Sequence, residues 1–73
     1  MLMTHLAQAE RHVAQGKMVI ERQQGLVVEL ERDGHDITEA QRLLATFLDI
    51  QRSHEEDLAR ITGEVRKLPP HAT

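Results

Sequence analysis

The chain has 73 residues, a formal net charge of −3, no cysteine, and Phe47 as its only aromatic side chain besides the histidines. These properties exclude disulfides, thiolate zinc sites and a cysteine nucleophile, and they argue against a nucleic-acid partner. A domain this short rarely buries enough apolar surface to be stable alone, so we expect help from a partner chain or from a metal held by histidine and carboxylate ligands.

The composition predicts an all-α protein. Leu, Ala, Gln, Glu and Arg are abundant and favour helices, and no proline precedes Pro69. The sequence contains no run of about 20 apolar residues that could span a membrane, and its first residues lack the pattern of a secretion signal. We therefore predict no membrane partner and a cytoplasmic location.

The first predicted helix covers residues 4–33, where a stripe of residues, nearly all apolar or small, recurs in alternating steps of three and four. They are Leu6, Ala9, Val13, Gly16, Ile20, Gln23, Val27 and Leu30. This spacing is a heptad seam with Leu6 at position a and Ala9 at position d, interrupted by the polar Gln23. Such a stripe predicts packing against another helix.

A strong turn signal, Asp33-Gly34-His35-Asp36, follows the first helix. Gly34 can adopt the left-handed conformation that ends a helix. Asp36 can accept hydrogen bonds from the first free amides of the next helix, and Glu39 can bond back to complete a capping box. A connection this short favours antiparallel neighbours.

The second predicted helix covers residues 37–68 and repeats the seam. Its positions are Ile37, Ala40, Leu44, Phe47, Gln51, His54, Leu58, Ile61, Val65 and Leu68. Pro69-Pro70 stops this helix, so residues 69–73 are predicted to be a frayed tail of a single domain, 1–73. The alternative is one continuous helix. Leu30 is a d position, but Ile37, seven residues later, is an a position, and this break in the heptad phase favours a hairpin. In that hairpin we expect Gly16 to lie opposite His54.

The hairpin carries more apolar surface than its two helices can cover. The g positions Val19, Leu26, Leu43 and Ile50 widen the stripe in the half near the turn. We predict that two copies pair into a four-helix bundle through these residues together with Ile20, Val27, Leu44 and Phe47. A different protein could supply the missing helices instead.

Three histidines are candidate metal ligands. His5 and His12 are g residues on one face, and His12 should lie at a similar height to His54 of the seam. Imidazoles on facing helices can bind zinc, and Glu55 or Asp57 could add an oxygen ligand. Because seam histidines commonly satisfy a facing side chain and fix register, we predict a structural role with no metal and no cofactor, and keep a metal site and a pH-sensitive interface as alternatives.

Catalysis has little support in the sequence. Ser53 is the only serine, and its neighbour His54 would point about 100° away on a helix. Neither a nucleophile elbow nor a glycine-rich phosphate loop is present. We predict that the protein is not an enzyme.

The segments "HLAQAERHVAQGKMVIERQ" and "LERDGHDITEAQRLLATFLDIQRSH" carry a resemblance. In their two early histidines, Gly-His-Asp turn, Ala-x-x-Leu-Leu stretch and later histidine they resemble a group of short, uncharacterised α-proteobacterial helical-hairpin proteins. The resemblance covers nearly the whole chain. It implies a bacterial intracellular protein, and it brings no activity and no site residues.

Three functional hypotheses follow. The first is a small non-catalytic module for oligomerisation and protein interaction, built on a homodimer of helical hairpins that presents its outer surface to a larger protein partner. The second is a metal- or ligand-binding four-helix bundle that uses His12 and His54, with His5. The third is an RNA-binding hairpin dimer, whose only support is the analogy of its fold.

Overall fold

The computed structural model describes residues 2–67, which form two long antiparallel helices joined by a short turn. Helix α1 runs over Leu2–Arg32 and helix α2 over Thr38–Arg66. The hairpin measures 60 × 14 × 14 Å. The predicted all-α hairpin is confirmed, although α2 begins and ends slightly inside its predicted bounds. Leu68 and the predicted frayed tail, 69–73, lie outside the described residues.

The turn ends α1 in a Schellman motif. Gly34 has a φ of 79°, the left-handed conformation predicted for it. The N–H of His35 donates to the carbonyl of Leu30 at 2.9 Å, and the N–H of Gly34 donates to the carbonyl of Glu31 at 3.1 Å. These two bonds satisfy carbonyls that the end of the helix would otherwise leave free.

The start of α2 differs from the predicted capping box. Ile37 occupies the N-cap position with a φ of −100° and a ψ of 4°, and its carbonyl accepts the N–H of Gln41. Asp36 is the residue before the N-cap. Its Oδ1 accepts hydrogen bonds from the backbone N–H of Thr38 at 2.9 Å and from the hydroxyl of Thr38 at 2.7 Å. These bonds favour the carboxylate and lower the pKa of Asp36 below its ordinary value.

The predicted back-bond from Glu39 is wrong. Its Oε1 accepts a hydrogen bond from Nη1 of Arg42 at 2.7 Å, which turns the carboxylate along α2 and away from the turn. Both side chains are exposed, so this ion pair contributes little to stability. Asp36 is therefore the acidic side chain that binds the start of α2.

The heptad seam is confirmed by burial. In residues 3–32 of α1 the shielded positions coincide with the eight seam positions, and in α2 the seam residues up to Val65 are likewise shielded, together with Thr62 and Gly63. Two polar residues of the seam are among the most deeply buried residues. Gln23 is 8% exposed and Gln51 is 5% exposed.

The two buried glutamines connect the helices through their side-chain amides. Nε2 of Gln23 in α1 donates to the carbonyl of Ala40 in α2 at 3.0 Å. Nε2 of Gln51 in α2 donates to the carbonyl of Val13 in α1 at 2.9 Å. A slide of one helix along the other would break both bonds, so the pair fixes the alignment of the hairpin.

The alignment differs from the predicted one by about one helical turn. Gly16 lies against the side chain of Gln51, whereas the predicted partner was His54. His54 lies beside His12 instead.

The hairpin has a thin core. Among apolar residues in 3–67, only Ala9 and Ile61 are buried, at 7% and 9% exposure. The radius of gyration is 17.1 Å, compared with about 11 Å for a compact domain of this length.

Within residues 2–67, neither helix has an apolar stretch sufficient to cross a lipid bilayer.

Candidate interaction surface and histidine pair

One side of the hairpin carries an apolar flank. It consists of Val19, Leu26, Leu43 and Ile50, which are 39%, 43%, 45% and 47% exposed. All four are g residues of the heptads, and the g residues of two antiparallel helices fall on the same side of the pair. The flank therefore presents four large aliphatic side chains to solvent along the half of the rod nearest the turn.

The opposite side is formed by the e residues and is polar. They are Glu10, Lys17, Gln24, Glu31, Gln41, Leu48, Glu55 and Thr62. Leu48 is the only large apolar residue in this set, at 44% exposure. The two sides of the hairpin thus differ sharply in polarity, although both border the same seam.

The predicted interface residues fall into two groups. Ile20, Val27, Leu44 and Phe47 are seam residues, half-buried between the helices of one hairpin. Phe47 also borders a groove of about 250 Å³ that Val19 and Ile50 line on the apolar flank. Leu43 instead lines a separate shallow depression with Glu39 and Arg42. The apolar flank therefore continues into the seam at Phe47.

A histidine pair lies farther from the turn, next to the groove at Val19 and Ile50. The ring centroids of His12 and His54 are 5.1 Å apart, with their planes inclined at 43°. His12 is exposed and His54 is half-buried. The prediction that these two histidines lie at similar heights is confirmed.

The pair borders a second groove of about 250 Å³. His5, Asp57 and Arg60 line it as well. Asp57 is paired with Arg60 at 3.7 Å, and the two side chains are 60% and 61% exposed. Of the two predicted oxygen donors, Asp57 therefore lies with the histidines, whereas Glu55 belongs to the polar e side.

Within residues 2–67, no group of three or more His, Asp or Glu side chains could hold a metal ion. The groove brings two imidazoles together and places a carboxylate nearby.

The sequence reasoning missed the contact between Gly16 and Gln51. Both residues are seam positions in the sequence, and a glycine in a seam signals close approach by a facing side chain. The identity of that side chain depends on the alignment of the helices.

Comparison of this chain with protein-family models, with curated proteins and with solved structures finds no match.

Proposed function

We propose that the protein is a small, non-catalytic interaction module that pairs with a second copy of itself through the apolar flank and forms a four-helix bundle. The observation that carries this proposal is the contrast between the two sides of the hairpin. Four aliphatic side chains occupy the g side near the turn, whereas charged and amide side chains dominate the e side.

The thin core supports the need for a partner. Two buried apolar residues provide little of the hydrophobic free energy that must offset the ordering of a chain of this length. A second hairpin on the apolar flank would cover Val19 and Ile50 and deepen the burial of Phe47. Most of the stability of the bundle would then come from contacts between copies.

A second copy suits the flank better than a charged partner does. A two-fold axis brings the same surface of both copies together, so the flank must be complementary to itself. Its four aliphatic side chains meet this requirement, because none of them carries a charge that would be repeated across the axis. Once paired, the dimer would still present the polar e side to a larger protein partner.

The test compares two leucines of α2 that are matched in exposure. Leu43 on the apolar flank is 45% exposed and Leu48 on the polar side is 44% exposed. We expect Leu43→Glu to weaken the dimer by about tenfold or more. Dimerisation can bury only the exposed 45% of each leucine, which is roughly half of the 1.5–3 kcal/mol for a fully buried side chain, and each dimer has two copies. Leu48→Glu should leave the dimer intact.

Sedimentation equilibrium over a range of micromolar concentrations, in the presence of a chelator, gives the dissociation constants. A melting temperature that rises with the concentration of wild-type protein would support the proposal. A wild-type chain that is a folded monomer under these conditions, or two variants that weaken the dimer equally, would show that the flank is not the dimer contact.

A further inference from the structure

We propose that the two hairpins of the dimer pair with their turns at the same end, so that α1 of each copy packs against α2 of the other along the whole rod. This inference rests on the proposed dimer and specifies which surface of one copy meets which surface of the other. The order of the g residues along the two helices carries it.

The g side changes character along the rod. The half near the turn is the apolar flank. In the half towards the open end, the g residues of α1 are His5 and His12, whereas those of α2 are Asp57 and Glu64. All four are exposed, and three of them line one groove, which shows that both rows lie on the same side of the hairpin. The g side therefore has imidazoles on one helix and carboxylates on the other.

Two symmetric arrangements can bring the g sides of two hairpins together. A two-fold axis parallel to the rod keeps both turns at the same end and places α1 of one copy against α2 of the other. An axis perpendicular to the rod puts the turns at opposite ends and places α1 against α1 and α2 against α2. Neighbouring helices are antiparallel in both arrangements, so the side chains must decide between them.

The arrangement with both turns at the same end matches the two halves of the g side at once. Val19 and Ile50 border the same groove, so Val19 of one copy meets Ile50 of the second copy. Towards the open end, His12 meets Asp57 of the second copy and the row of imidazoles continues opposite the row of carboxylates. An imidazole can donate a hydrogen bond to a carboxylate in either protonation state. The g side is therefore complementary to itself over its full length.

The arrangement with turns at opposite ends lacks this match. If the rods overlap fully, the height of each residue is reversed in the second copy, and Leu26 and Leu43 meet the polar half of the g side. If instead the apolar flanks are centred on each other, the open end of each hairpin projects beyond the turn of its partner. The imidazole and carboxylate rows then have no facing surface.

A distance between the two copies tests the arrangement. The chain has no cysteine, so Thr4→Cys provides a single site for a spin label, and Thr4 is exposed near the open end. Each rod is 14 Å thick, so turns at the same end should keep the two labels within about 40 Å. Turns at opposite ends, with the apolar flanks centred, would separate them by about 55 Å along the rod.

Pulsed electron paramagnetic resonance measures this distance in the dimer. A distance near 55 Å or longer would overturn the proposed arrangement and leave the dimer itself supported. A labelled chain that sediments as a monomer and shows no dipolar coupling would instead overturn the dimer, and the arrangement with it.

Charge exchange between copies provides a second test. His12→Glu would place a carboxylate opposite Asp57 of the second copy, so we expect its dimer to be weakened by about fivefold. An equimolar mixture of His12→Glu and Asp57→Lys chains should dimerise more tightly than His12→Glu alone, because the mixed dimer pairs opposite charges. Circular dichroism checks that both exposed substitutions leave the helices intact.

The matched control replaces Asp57→Lys by Glu55→Lys, which changes the net charge equally but lies on the polar e side. Its mixture with His12→Glu should show no such gain. One chain of each mixture carries ¹⁵N, so that native mass spectrometry separates mixed dimers from homodimers. Equal amounts of mixed dimer with Asp57→Lys and with Glu55→Lys would overturn the proposal, because net charge alone would then explain the attraction.

Discussion

Gly16 of α1 lies directly against the side-chain amide of Gln51 of α2. A Cβ built on residue 16 would overlap Oε1 of Gln51. That oxygen is buried and has no hydrogen-bond partner within the described residues, while Nε2 of the same amide donates to the carbonyl of Val13. The missing side chain of Gly16 therefore makes room for the bond that aligns the helices.

This contact predicts that Gly16→Ala lowers stability although alanine favours helices. The added methyl group must displace Gln51, and overpacking of this kind costs about 1–3 kcal/mol. Gly25→Ala is the matched control in α1, since nothing lies within 4 Å of a Cβ built there. It should stabilise the chain by about 0.5–1 kcal/mol. Urea unfolding of both variants checks the opposite signs, and a stabilised Gly16→Ala variant would show that Gln51 does not occupy this space.

The buried amide of Gln23 yields a second prediction. Gln23→Ala removes the donor to the carbonyl of Ala40 and leaves a gap in the seam, so we expect a loss of about 1–3 kcal/mol. Gln24→Ala changes an exposed side chain on the next residue and should shift stability by less than about 0.5 kcal/mol. The two free energies of unfolding, measured in the same buffer, should differ clearly, and equal values would exclude a structural role for the Gln23 amide.

Gly34 yields a third prediction through its backbone. At a φ of 79° an alanine meets the steric conflict of the left-handed region, so Gly34→Ala should destabilise the hairpin by about 1–2 kcal/mol. Asparagine tolerates this region better, and Gly34→Asn should lose less. Thermal unfolding of the two variants gives the order. If alanine were tolerated as well as asparagine, the turn would have a different conformation in solution.

The fourth prediction concerns pH and Asp36. The backbone N–H and the hydroxyl of Thr38 lower the pKa of this carboxyl, so the folded chain binds its proton less readily than the unfolded chain does. The resulting stability is present above the ordinary pKa of aspartate and is lost as the pH falls through the lowered value. NMR titration should find the pKa of Asp36 below that of a free aspartate.

Thr38→Val tests the cause of this shift, because it removes the hydroxyl donor and leaves the backbone donor in place. The pKa of Asp36 should move part of the way back towards its ordinary value. Thr46→Val is the control, since the Thr46 hydroxyl donates to the carbonyl of Arg42, away from Asp36. An unchanged pKa in Thr38→Val would assign the whole shift to the backbone bond.

The sequence predicted which residues face the partner helix, because the heptad period follows from the geometry of helices and is carried by many residues. It could not predict the alignment of the two helices. A slide of one turn carries the seam onto itself, so periodicity alone does not distinguish Gln51 from His54 as the partner of Gly16. Hydrogen bonds between the amides and individual carbonyls decide between these alignments, and they depend on distances that no pattern contains.

The candidate sites show the same division. Heptad positions were sufficient to place Leu43 and Ile50 on one side, and to place His12 near the height of His54. The predicted capping box failed because the N-cap is Ile37 and not Asp36, and because Oε1 of Glu39 accepts a hydrogen bond from Arg42 instead. The carboxylate of Asp57 beside the histidines likewise became clear only from the three-dimensional groove.

The two amide bonds between the helices close very different lengths of chain. Gln23 and Ala40 are 17 residues apart, whereas Gln51 and Val13 are 38 residues apart. The entropy lost on closing a loop grows with its length, so the Gln23–Ala40 contact forms at a lower entropic cost. Once formed, it holds the two helices close enough for the Gln51–Val13 contact to follow. Folding should therefore proceed from the turn at Gly34 towards the open end, and hydrogen exchange should be slowest near the turn and fastest towards the open end.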